Sequence, residues 1–404
     1  MLGEEQSARV AFERVSAGAA AGPDTPERGQ ARARLAVLAV DPATAGPEVR
    51  SNLEMRAKAE PNDPIVASRL AAIQERSGAA ATAAAGFENA LKLAPHNPQT
   101  MIELARLYAG PMREPAKARE LAKSAHQLAP DDSGISETLG RLVYATGDFK
   151  WSVDLLEQAS RSLPHEPELM YDLALAYYGV GRIADAEQSL RAVRTGGGPF
   201  SRKAEADRFA AMLAASVSPS SAEAAAGDAR KILEADPGYV PALMVSGLAK
   251  EQEGDASGAG ALYEKILEKN PLFAPATRQL ARIYVERTGD DEKAYNLAVK
   301  AREAFPGDPD VARTLGIIDY RRGDYGGAER LFQESLRSLP NDAETVYYMG
   351  MSHYNLREMD ESKAELQRAL DLKLSDPLSD DAKRVLDEMK GDVQGPSLSS
   401  QPIN

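Results

Sequence analysis

Along most of the chain, apolar residues recur at i, i+3, i+4 and i+7, the spacing that lines one face of a helix. The runs come in pairs: an apolar helix, a short turn that often contains Gly, and a second helix that ends just before a Pro. The closing prolines are Pro61, Pro95, Pro130, Pro164, Pro237, Pro271, Pro306 and Pro340, at spacings of 34, 35, 34, 73, 34, 35 and 34 residues. The long interval is one period of 34 plus one of 39. A Pro there removes a backbone donor and drives the residue before it out of the helical region, so the second helix stops. The repeat can be followed residue by residue. When 137–164 is laid on 313–340, Leu139-Gly140 meets Leu315-Gly316, Tyr144 meets Tyr320 and Gly147-Asp148 meets Gly323-Asp324. Leu156 then meets Phe332, and Pro164 meets Pro340.

The period places units at 64–97, 98–132, 133–166, 167–200, 240–273, 274–308, 309–342 and 343–376. Each first helix carries a large residue followed by a small one: Leu70-Ala71, Leu104-Ala105, Leu139-Gly140, Leu173-Ala174, Leu280-Ala281, Leu315-Gly316 and the variant Met349-Gly350. The second helices carry Ala83, Ala118, Ala186, Ala259, Ala294 and Ala328. Small residues at these points let the two helices of a unit approach closely and let the next unit pack into the gap. The Leu-Gly or Leu-Ala pair, the second-helix Ala and the closing Pro resemble the tetratricopeptide repeat (TPR) family, built from helix–turn–helix units of about 34 residues. The resemblance covers residues 64 to 376. It implies an all-α fold, a right-handed superhelical solenoid of antiparallel helix pairs.

The expected organisation has six parts. Residues 1–63 hold degenerate helices at 4–19, 26–42 and 47–61, 64–200 form a first block of four repeats, and 201–239 are an irregular repeat. A second block of four spans 240–376, a capping helix 377–392, and a disordered tail 393–404. The degenerate start reads as a chain that begins inside a repeat, with its upstream part missing, or as an irregular cap. The capping helix keeps only Val385, Leu386 and Met389 apolar, and a polar outer face is what ends a stack. Thr195-Gly196-Gly197-Gly198-Pro199-Phe200 stands where a closing Pro is due, and 216–221 reads as an enlarged loop. This stretch is either a soft junction that divides the array or a longer loop on a rigid stack. A soft junction has a measurable consequence: mild proteolysis cuts within 195–221 before it cuts within 240–376. First cuts inside the second block would exclude it.

Composition narrows the function. The net charge is −13 with a pI near 5.0, which argues against nucleic acid and against anionic membranes as partners. With no Cys, disulfides, Cys-zinc sites and thiol chemistry are excluded. No apolar stretch is long enough to span a bilayer, and Met1-Leu2-Gly3-Glu4-Glu5 is not a signal-peptide start. Cytoplasmic and periplasmic locations both stay open, as does the oligomeric state. The histidines are His96, His126, His165 and His353, with no His-x-x-x-His pair, so a zinc site would need carboxylates from several repeats. Nucleotide-binding loops and nucleophile elbows are missing, so the chain reads as non-catalytic, with no cofactor.

In the TPR family, positions 2, 5, 9 and 12 of each first helix line the concave face. Carried onto this chain, the resemblance implies a groove of Arg106, Arg141, Tyr144, Tyr171 and Tyr178 in the first block. In the second it implies Arg278, Arg282, Arg313, Tyr320, Tyr347 and Tyr354. Arg and Tyr dominate binding hot spots. The competing reading is that these tyrosines are partly core and that the arginine stems cover alanine-rich surface. The Lys/Asn clamp that some TPR proteins use on chaperone tails is absent, because its places hold Ser68, Ala72, Glu103, Gly134 and Thr138. The resemblance therefore implies a scaffold that binds a protein or peptide of acidic or extended kind and assembles a bacterial complex. Two other roles stay open: a periplasmic or lipoprotein subunit of a polysaccharide or protein export system, or the substrate-presenting arm of a larger enzyme such as a glycosyltransferase. On this reading Arg282→Glu abolishes capture of the partner and leaves melting nearly unchanged.

Overall fold

The computed structural model describes residues 2–17, 25–196, 199–216, 218–288 and 291–392. Among them are 22 α-helices, one π-helical segment and no strand. Contacts group the chain into two compact units, Met1–Tyr177 with Ile183–Ala206, and Tyr178–Arg182 with Asp207–Asn404. The first unit contains α1 (Leu2–Ala17), α2 (Pro26–Leu38), α3 (Pro47–Ala59), α4 (Pro64–Arg76), α5 (Ala80–Leu93) and α6 (Pro98–Ala109). It continues through α7 (Pro115–Leu128), α8 (Ser133–Ala145), α9 (Phe149–Ser162), most of α10 (Pro167–Gly179), and α11 (Ile183–Thr195). The second takes most of α12 (Lys203–Ala215), then α13 (Pro219–Ala235), α14 (Val240–Gln252), α15 (Ala256–Lys269) and α16 (Ala274–Ile283). It ends with α17 (Asp291–Ala304), α18 (Pro309–Arg321), α19 (Tyr325–Ser338), α20 (Ala343–Leu356), α21 (Met359–Asp371) and α22 (Leu378–Asp392). Successive helices from α3 to α9 and from α13 to α22 pack on each other as helix hairpins, and first helices also touch the next first helix, as α6 touches α8 and α18 touches α20.

Two kinds of turn make the pairs. Within a pair, a Gly in the left-handed region reverses the chain and an Asp caps the next helix. Gly147 has φ 83° and Gly323 φ 82°. Asp148 then accepts from Trp151 N, and Asp324 from Gly327 N. Between several pairs, an Asp or Asn two residues after the closing Pro caps the next first helix, while α14 and α16 start after Tyr239 and Phe273 with no side-chain cap. Asp132 accepts from Gly134 N and Ile135 N, and Asp308 from Asp310 N and Val311 N.

Where the small residue of a first helix is Gly, the paired helix comes too close to leave room for a methyl group. A Cβ added at Gly140 would stand 2.8 Å from Leu156 Cγ, at Gly316 2.6 Å from Phe332 Cε1, and at Gly247 2.4 Å from Tyr263 Cε1. Leu156, Phe332 and Tyr263 are essentially fully buried, so each fills the space a methyl group would need.

The two 35-residue units absorb their extra residue differently. In 98–132 the turn after α6 is longer, with Arg113 at φ 55°. In 274–308 the first helix continues as a π-helical turn, Tyr284–Thr288. The structure corrects the reading of 216–221 as an enlarged loop. The α12–α13 turn is short, Pro219 is the first residue of α13, and Ser218 Oγ caps it by accepting from Ser221 N at 3.2 Å. The extra length is in α13, which has 17 residues. Gly197 and Gly198 of the junction and the 393–404 tail lie outside the described residues. In α22, Ala382, Val385 and Leu386 are buried against α20 and α21.

Candidate functional site

In the second unit, α14, α16 and α18 place side chains around a cavity of about 390 Å³. Its lining includes Glu251, Arg278, Gln279, Arg282, Asp310 and Arg313. Ser216 and Ser218, from the α12–α13 turn, reach it too. The structure thus brings together three arginines that the sequence singled out. None of them faces the cavity alone. Arg278 Nη1 binds Asp308 Oδ2 at 2.6 Å, and its guanidinium lies 5.4 Å from the centre of the Phe305 ring. Arg282 pairs with Glu251 and, at 3.0 Å, with Glu286. Arg313 stands among Glu344 at 3.3 Å, Asp342 at 3.7 Å, and Asp310 and Glu286 at 3.9 Å. Burial pushes the Glu344 carboxyl up, and Arg313 partly offsets that shift. Each arginine reaches a carboxylate on, or capping, a neighbouring first helix, so the row is a ladder of ion pairs along the stack.

Glu251 joins this ladder to the core. Its Oε1 accepts from the Tyr263 hydroxyl at 2.6 Å while its Oε2 faces Arg282. Burial pushes the Tyr263 phenol up, so it stays a donor. The unbroken run is Gly247, Tyr263, Glu251 and Arg282, from the tightest helix contact of the repeat to the cavity wall.

The first unit repeats the scheme. Arg106 Nε and Nη2 each donate to Thr138 Oγ1 at 3.2 Å, and Nη1 lies 3.3 Å from Glu103. Arg141 pairs with Glu137 at 2.7 Å and with buried Asp172, which also takes Arg202 at 2.7 Å. Burial raises the Glu137 carboxyl, with Arg141 opposing. A larger cavity, of about 1020 Å³, lies beside α4 and α6, lined among others by Ser68, Ala72, Glu75, Glu103 and Arg106. From the sequence, Ser68, Ala72 and Glu103 serve only to exclude a chaperone clamp. Their shared place at positions 5, 9 and 6 of successive first helices is the signal that they face one space.

The tyrosines are elsewhere, and three are corrections. Tyr171, Tyr178 and Tyr347 are buried, at 4%, 3% and 5% exposure. Tyr171 is covered by Phe200 and by the Arg202 guanidinium, and Tyr178 packs edge-on against Phe209 and Phe273. Tyr347 donates to Asp381 on α22 at 2.6 Å. Tyr144, Tyr320 and Tyr354 are half-buried. Tyr144 packs on Phe149, Tyr320 on Tyr325 and Tyr348, and Tyr354 on the α20–α22 core. No aromatic residue is among the described residues that line the second unit's cavity. The reason is geometric. These rings extend from first-helix positions 5 and 12 toward the adjoining helices, where their area is better buried than in an open groove.

Residues 251–318, 137–202 and 313–382 match tetratricopeptide-repeat family profiles. These stretches are tetratricopeptide repeats. Among curated proteins, this TPR chain is 27% identical over 108 residues to a TPR repeat-containing protein of Pseudomonas aeruginosa, covering 27% of this chain and 18% of that protein. It is 26% identical over 175 residues to protein FlbA of Caulobacter vibrioides, covering 35% of this chain and 29% of that protein. The match thus spans less than a third of either relative. Among solved structures, the Cut9–Hcn1 hetero-tetramer of the APC/C has a TM-score of 0.50 at 13% identity, over 96% of this chain and 93% of that one. YrrB, a TPR protein with an unusual peptide-binding site, has a TM-score of 0.34 at 14% identity, over 56% and 96%. The fold is that of a protein-binding TPR scaffold, a class that is typically non-catalytic. Among the described residues no helix is long and apolar enough to cross a membrane.

Proposed function

We propose that this TPR chain is a non-catalytic scaffold that holds an extended segment of a protein partner in the cavity of the second unit. One observation carries the reading: three first helices present a walled space whose charges are already paired. Cationic and anionic side chains line it together with the amide of Gln279 and the hydroxyls of Ser216 and Thr314. Such a surface offers donors and acceptors to a peptide main chain and little net charge. An acidic partner would have to displace Glu251, Glu286 or Asp308 from the arginines, so the ion pairs favour an extended segment over an acidic one. Assembly of a larger complex would follow from two units each with its own cavity.

The test uses peptides selected from a displayed random library against the whole chain. Gln279→Trp fills the cavity without touching an ion pair. It should weaken the selected peptides by about tenfold or more, as the loss of a central contact does. Lys300→Trp, on an exposed helix face, should leave them unchanged. Peptides that bind both variants alike would move the site elsewhere. Binding that collapses between 0.05 and 0.5 M salt would favour the acidic partner.

A further inference from the structure

We propose a divalent-metal site, best suited to zinc, that staples the last two repeats through Glu329, His353 and Glu358. Glu329 lies on α19, His353 near the end of α20, and Glu358 in the turn before α21. Their ligand atoms all lie within 4.8 Å of one another. His353 Nε2 is 3.7 Å from Glu329 Oε1 and 3.9 Å from Glu358 Oε2.

The histidine turns this cluster from surface carboxylates into a site. Its side chain is only 7% exposed. Nδ1 is buried with no hydrogen-bond partner, and Nε2 stands outside hydrogen-bond distance of both carboxylates. A buried imidazole with neither nitrogen hydrogen-bonded is a costly arrangement that needs a reason. Nε2 is aimed at the two oxygens, and a cation between them gives that nitrogen a partner. Ligands on a tetrahedron at ordinary zinc bond lengths lie about 3.4 Å apart, so the two nitrogen–oxygen separations need to close by a few tenths of an ångström, while the two carboxylates, within 4.8 Å of each other, need to draw together by about 1.4 Å at most. An imidazole with two carboxylates is a donor set that zinc accepts, and harder cations such as magnesium disfavour the nitrogen. Gln333 Nε2 donates to Glu329 Oε1 at 2.7 Å and fixes that carboxylate, the kind of outer support that metal ligands usually have. Glu358 is 48% exposed, so the ion can enter from solvent and keep water as a further ligand.

The site spans two repeats, and its ligands converge only in the folded state. Metal therefore stabilises the stacking of 343–376 on 309–342. The test uses the whole chain stripped with EDTA and dialysed. Zinc chloride should bind at a single site by titration calorimetry and raise the melting midpoint, and cobalt(II) should give the visible absorption of a tetrahedral site. Glu329→Gln and Glu358→Gln should each weaken zinc by about tenfold or more. Glu358→Gln alters an exposed side chain, so its metal-free melting should match the parent. No zinc-dependent rise in the parent, or an equal rise in both variants, would overturn the proposal.

Discussion

Gly247→Ala should be among the most damaging single-methyl changes in the second unit, at about 3 kcal/mol, the upper end for overpacking a tight interior. The added Cβ would lie 2.4 Å from Tyr263 Cε1 and 2.7 Å from Cζ. Tyr263 cannot swing aside, because it is fully buried and its hydroxyl is held by Glu251. The α14–α15 pair must open instead, and the next repeat loses the surface it stacks on. Gly227→Ala is the internal control. Gly227 is exposed in the middle of α13, and a Cβ added there would meet nothing within 4 Å, so the same exchange should stabilise by about 1 kcal/mol through helix propensity. Repeat arrays do not unfold as one unit, so the measurement is amide exchange resolved by helix. Exchange should accelerate in α14 and α15 of Gly247→Ala and stay unchanged in α5. A uniform change in both, or none, would show that the close approach does not hold the pair.

That contact also marks how far the fold can be read from residues alone. The Leu-Gly pairs, the Gly-Asp turns and the closing prolines each leave a chemical trace: a missing side chain, a positive φ, a missing donor. The pairing of Gly316 with Phe332 is visible in the sequence as a small residue sixteen places before a large one. The α12–α13 turn misleads because Ser-Pro-Ser-Ser suits a loop and a helix start equally. Ser218 at the cap and Pro219 at the first position settle it, and only the hydrogen bond to Ser221 N distinguishes the two. The π-helical turn after Ile283 has no trace beyond a unit one residue too long, since an insertion can be taken up in a helix or in a turn.

The groove is less legible. First-helix spacing puts Arg278, Arg282 and Arg313 on one face, and the structure places them around one cavity. What spacing does not supply is their partners. Asp308, the cap of α18, lies 30 residues from Arg278, and Glu344 31 from Arg313, so each carboxylate sits on or at the start of the next first helix. A pattern that repeats every 34 residues brings such pairs together in space while keeping them apart in sequence. The tyrosines fail for a related reason. Positions 5 and 12 border both the groove and the next helix, and only packing decides which one the ring fills.

The ion pairs change what a charge reversal in the cavity should do. Arg282→Glu is expected to cost about 3 kcal/mol, the low end for breaking a buried pair, because Arg282 remains 25% exposed. The new carboxylate would face Glu251, itself 12% exposed, and Glu286. Three anions would then share a site that held one cation and two anions, and Tyr263 would lose a firmly placed acceptor. Melting should fall, in contrast to the expectation from sequence, and the deficit should shrink between 0.05 and 0.5 M salt as the repulsion is screened. Adding Glu286→Arg restores a cation four residues along the helix, so the double variant should recover part of the loss. Lys300→Glu, at an exposed place, should change melting little. If Arg282→Glu melts like the parent at low salt, the arginine is not held by its neighbours. Its guanidinium would then be free for an acidic partner, and the case for a charge-neutral, extended ligand would fail with the ladder.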